Sequence, residues 1–141
     1  MFDYIICAFF WPALLFFLAY PQGVLMPAVR RTPPGPEATS QARALHLGLV
    51  LAYFLPLVLV AVFARPHLPL HAVVAVLVRL AGFDPILNHY AGDESFHVGQ
   101  TATTDKLLRK LSATHPERLS VALRLAAGAL AVAAVVVAAG R

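Results

Sequence analysis

The densest grouping of reactive side chains in this 141-residue chain lies between positions 84 and 97. It comprises Asp84, Asn88, His89, Asp93, Glu94 and His97. Imidazoles and carboxylates at this density could hold a metal ion or serve as an acid–base pair. His89, Asp93, Glu94 and His97 are the candidate ligands. Their spacing matches no established metal motif, and Gly92 leaves the intervening backbone free to turn. The competing reading is a polar connecting loop in which Asp84 and Asn88 cap or turn the chain. His67 and His71 are four apart and would share a helix face, a second candidate ion site, but Pro69 stands between them.

Two arginines form a further class. Arg79 and Arg124 lie in or beside apolar segments, where an ionisable group is a functional candidate by default. Each is near enough to its expected segment end to extend its guanidinium to the headgroups. Turned inward instead, Arg124 could find Asp84 or Glu117. The chain has no glycine-rich phosphate loop, no Gly-x-Ser-x-Gly nucleophile turn and no His-Glu-x-x-His pair. Cys7 is the single cysteine, which excludes thiolate clusters, intramolecular disulfides and haem attachment. No cofactor is expected.

The elements that position these residues follow from composition. Hydrophobic residues make up 60% of the chain and charged ones 13%, far from the roughly 45–50% and 25% of soluble domains. Tyr4 to Val29 and Ala44 to Ala64 contain no Asp, Glu, Lys or Arg. About 20 apolar residues cross a bilayer, so both runs qualify. The fold class is therefore all-α, a single membrane domain spanning 1–141. Transmembrane helices are expected over about 4–29, 41–64, 68–83 and 115–140. The polar loop and a short amphipathic cytoplasmic helix fill 84–114. The start Met1-Phe2-Asp3 lacks the basic stretch of a secretory signal, so the first helix is read as retained. Pro12 should kink it, and Pro21 and Pro27 should end or bend it.

The third segment is the ambiguous one. Leu68 to Phe83 spans roughly 24 Å at about 1.5 Å per residue, short of a core of about 30 Å. If it fails to cross, three transmembrane helices remain instead of four. Thr103 or Thr104 can cap the amphipathic helix, with Leu107, Leu108 and Leu111 on one face and Lys106, Arg109 and Lys110 on the other. Thr114-His115-Pro116-Glu117 fits a capping box for the last helix. That helix carries small residues such as Ala122, Ala126, Ala127 and Ala131, a face suited to a protein partner or a second copy of the chain.

Arg30, Arg31 and Arg43 follow the first helix, and Lys106, Arg109, Lys110 and Arg118 follow the third segment, whereas Arg65 stands alone between the second and third. With four crossings, both basic stretches (loops 30–43 and 84–118) are cytoplasmic and both termini lie outside. A net charge of +4 and a pI near 9.7 do not indicate nucleic acid, because the basic residues flank apolar segments without stacking aromatics. Nine arginines against two lysines, with abundant Ala, Val, Leu and Pro, suggest a GC-rich bacterial genome, hence an inner membrane. The function expected is non-enzymatic: an accessory or structural component of a membrane assembly. The alternatives are a pore of the phage holin kind, and a membrane enzyme or metal-binding protein using the 84–97 loop.

Overall fold

The computed structural model describes the backbone of residues 2–31, 47–98 and 103–140, and the side chains of 4–25, 47–98 and 105–140. Every regular element among them is helical. The helices are α1 (Phe2–Arg31), α2 (Leu47–Phe63), α3 (Leu68–Ala91), α4 (Thr103–Leu111) and α5 (Pro116–Ala139), with one 3₁₀ turn at Arg65–His67. Three stretches are long and apolar enough to cross a membrane: Tyr4–Leu25, Arg65–Ala91 and Pro116–Ala139.

In α1, Cys7, Trp11, Leu15 and Ala19 recur every fourth residue and are buried, while Phe9, Phe17 and Val24 face outward. This i, i+4 row is the stripe that a helix presents to a neighbour. It packs on Val74, Ala75, Phe83 and Leu87 of α3 and Tyr53 of α2. The pairings run in step along both helices. Tyr4 meets His67, Trp11 meets His71, Gly82 abuts Leu15, and Gly23 abuts Leu87 and Tyr90. Helices α1 and α3 are therefore parallel. At Gly23 the approach is closest: a Cβ there would lie 2.7 Å from the Tyr90 Cβ and 2.8 Å from the Leu87 carbonyl. Only glycine fits such an approach.

Helix α1 runs unbroken through Pro12, Pro21 and Pro27, so of the two expectations for the last two, ending or bending the helix, the first is corrected. Each proline removes one ladder bond, and α1 keeps the bonds on either side. Pro56 does interrupt α2, where Leu55 forms a turn held by Leu55 N–H to the Leu51 carbonyl and Val58 N–H to the Leu55 carbonyl. Residues 41–46, the expected start of the second helix, lie outside the described residues.

The largest correction concerns the third segment. Helix α3 does not stop at Phe83; it continues through Asp84 and Pro85 to Ala91, 24 residues in all and about 36 Å long. The first part of the expected polar loop is helix. Gly92 ends it at φ 82°, with Gly92 N–H bonded to the His89 carbonyl and Asp93 N–H to the Asn88 carbonyl. That pair of bonds is the left-handed helix stop that glycine accommodates without strain. The capping box at 114–117 does not form either. His115, not Thr114, is the cap residue of α5, and its side chain makes no capping bond. Pro116 at the first helical position needs no such acceptor, which lowers the demand for a cap. Helix α4 already includes Thr103, and the position before it lies outside the described residues.

Candidate polar site between the helices

The extension of α3 brings Asp84 into a helix, where it faces Arg124 of α5. Arg124, one turn after Ser120 on α5, turns inward. Its Nε donates to Ser120 Oγ (2.9 Å), one terminal nitrogen to the Leu80 carbonyl (3.3 Å) and the other to Asp84 Oδ2 (2.8 Å). The Arg124 side chain is 11% exposed and that of Asp84 44%. This pair joins α5 to α3 beside Pro85, which cannot donate to the carbonyl one turn back. Of the two alternatives for Arg124, the structure has the inward one: Asp84 on the neighbouring helix, one of the two partners available in the sequence, accepts from it.

Arg79 stands in the middle of α3, not near its end. Its guanidinium lies 3.9 Å from the centroid of the Phe83 ring, one turn along the helix. Asp84, next to Phe83 and in contact with Arg124, also interacts with the Arg79 charge. A cation at a transmembrane helix centre costs about 2.5–3.5 kcal/mol on insertion scales. Stacking on an aromatic ring returns about 0.5–2 kcal/mol. Helix α3 extends two turns beyond the apolar run, so Arg79 lies farther from the helix end than the sequence suggested.

Two further polar contacts knit the core. Trp11 Nε1 donates to His71 Nδ1 at 3.2 Å, and both side chains are buried. The Tyr53 hydroxyl donates to the Ala75 carbonyl at 2.9 Å. Accepting through Nδ1 leaves His71 as the neutral tautomer protonated at Nε2. His67 lies edge-on to the Tyr4 ring of α1, while His71 accepts from Trp11. Gln22 is buried beside this core with its Oε1 unbonded.

The 84–97 candidates are dispersed by the same extension. Asp84 joins the α5 contact. His89 is exposed, its ring 5.1 Å from that of Tyr90. Asp93, Glu94 and His97 lie on the turns after Gly92. Among the described residues, no three His, Cys, Asp or Glu side chains converge on a point that could hold a metal ion. What organises this loop is Asn88. Its Nδ2 donates to the carbonyls of Ser95 (3.3 Å) and His97 (3.1 Å). Arg109 of α4 adds a bond to the Val98 carbonyl, and Val98 is fully buried. Asp105, also on α4, has its carboxyl raised above the usual range, first by burial and then by the Asp84 charge; Arg124, His97 and Arg109 oppose the rise.

Beyond the polar layer, an open apolar groove of about 530 Å³ separates α1 from α5, with Gly82 and Val78 of α3 at its floor. Ala127 and Ala131 face inward from α5, whereas Ala122 and Ala126 stay exposed. The Ser120–Arg124 spacing is visible in the sequence as an i, i+4 pair. Trp11 with His71, sixty positions apart, gives no such local signal. No protein-family model, curated protein or solved structure matches the chain. Its own residues carry the functional reading.

Proposed function

We propose that this chain is a multi-pass protein of a bacterial inner membrane and serves as a non-enzymatic accessory or structural component of a larger membrane assembly. The observation that carries this reading is the use to which the internal polar groups are put. Arg124 with Asp84, Trp11 with His71, and Tyr53 with the Ala75 carbonyl each join one helix to another. Such bonds fix helix positions and leave the outer faces apolar. On α5 those faces carry Leu125, Leu130, Val132 and Val136, all more than half exposed. They suit lipid or a neighbouring apolar helix.

The parallel pairing of α1 and α3 supports four crossings. Whatever joins the C-terminal end of α1 to the N-terminal end of α3 must return across the layer. Helix α2 supplies about 26 Å of apolar helix for that return. The α1 C-terminus, the α3 C-terminus and α4 then share one side, which also carries the two basic stretches. That side is cytoplasmic by the excess of Lys and Arg. Lys106 and Lys110 of α4 are exposed beside Leu107 and Leu111, an arrangement suited to an anionic membrane surface.

The test is purification of the tagged protein from its own host in mild detergent, with mass spectrometry of what accompanies it. The expected result is a reproducible protein partner in stoichiometric amount. A homogeneous chain without a partner contradicts the reading and favours a self-contained pore.

A further inference from the structure

We infer that the outward face of α4 is a selective binding surface for anionic phospholipids, with Leu107 and Leu111 at the acyl boundary and Lys106 and Lys110 on headgroup phosphates. The inference rests on the membrane placement proposed above and names the ligand class of this helix. Two faces divide α4. Asp105, Leu108 and Arg109 turn toward the rest of the chain: Leu108 is buried, Arg109 donates to the Val98 carbonyl, and Asp105 lies within range of the Asp84 and Arg124 charges. Lys106, Leu107, Lys110 and Leu111 are all exposed, and at i, i+1, i+4 and i+5 they form one continuous face. Two leucines directly beside two lysines match the boundary where hydrocarbon meets charged headgroups.

The ties of α4 to its neighbours place it at such a boundary. Asn88, near the end of α3, holds the Ser95 and His97 carbonyls, and Arg109 holds the carbonyl of the next residue, Val98. Two residues after Asn88, Tyr90 meets Tyr20 of α1 edge-on at 4.6 Å, with Phe16 beside them and all three rings partly exposed. Tyrosines at the ends of apolar helices gather at headgroup depth. On its other side, α4 is joined by residues 112–115 to Pro116, where α5 begins. Arg118, exposed in the first turn of α5, adds a third cation at this end. An acidic soluble protein is the weaker occupant, because it would match the lysines and leave Leu107 and Leu111 against polar surface.

The experiment reconstitutes full-length wild type and a Lys106→Glu/Lys110→Glu variant into lipid discs. One set is phosphatidylcholine alone; the other mixes phosphatidylcholine and phosphatidylglycerol in equal parts. Backbone hydrogen exchange over 105–111 is followed by mass spectrometry. In wild type, phosphatidylglycerol should slow exchange about tenfold, the effect of two lysines held at an anionic surface. Salt at about 1 M should remove most of that slowing. The charge-reversed variant should exchange equally fast in both discs, with α5 as protected as in wild type.

Equal exchange of wild-type α4 in the two discs overturns the inference, as does slowing that survives high salt or the charge reversal. Equal slowing by inorganic phosphate in phosphatidylcholine discs assigns the lysines to a free anion and also overturns it. Slowing that needs an added acidic protein overturns it in favour of a protein partner. Should the charge-reversed variant fail to fold, the salt dependence of wild type decides. A chain that enters neither disc overturns the membrane placement as well, whereas absence of a co-purifying partner contradicts the accessory role alone.

Discussion

Asp84 and Arg124 are forty positions apart and meet between two apolar helices at 2.8 Å. The pair is neither at the surface, where such contacts contribute little, nor wholly dry, since the Asp84 side chain is 44% exposed. Arg124→Leu and Asp84→Leu should each lower stability by about 1–2 kcal/mol, between surface and buried values. In a double-mutant cycle measured by detergent unfolding, the two losses should be less than additive. Full additivity would mean that the pair is not coupled. Asp105 behaves differently. Burial and the Asp84 charge raise its carboxyl, so the folded state holds a proton that the unfolded chain has released. Stability is then lost as pH rises from the ordinary carboxylate value near 4 through the raised one. Asp105→Asn escapes that loss. Its advantage in melting temperature over wild type should be small at low pH and grow toward neutrality; a pH-independent difference would contradict this account of Asp105.

At the scale of elements, the α1–α3 contact depends on close backbone approach. Gly23→Ala places a Cβ within 3 Å of both the Tyr90 Cβ and the Leu87 carbonyl, and a backbone carbonyl cannot yield as a flexible side chain would. The variant should lose about 1–3 kcal/mol through overpacking, read as a fall in melting temperature. Gly48→Ala, with open space around it, is the matched control and should stay near wild type. The apolar runs made α1 and α5 legible. The length of α3 was not, because Asp84-Pro85 carries both usual marks of a helix end, a charge and a missing N–H. Arg124 neutralises the first and the flanking helical bonds carry the backbone past the second. Both facts are long-range and leave no local trace. The same misreading scattered the site. A helix ending at Phe83 puts His89, Asp93, Glu94 and His97 on one loop and Arg79 at the interface. Extending the helix by two turns separates the former and carries the latter into mid-helix.

For the whole molecule, the parallel pairing of α1 and α3 is the observation that supports the proposed crossing number. In the proposed four-crossing arrangement, α2 is the return path between these parallel neighbours. In that arrangement the Arg65–His67 turn faces one side of the membrane, while α4 and the chain joining α1 to α2 face the other. Cysteine accessibility reads this directly. In a Cys7→Ser background, single cysteines are placed at Ser40, Arg65 and Lys110, and intact cells are treated with a membrane-impermeant maleimide. Arg65→Cys should be labelled in intact cells, and Ser40→Cys and Lys110→Cys only after the membrane is opened. Labelling of Ser40→Cys and Arg65→Cys under the same condition would mean that α2 does not cross, and would contradict the four-helix account.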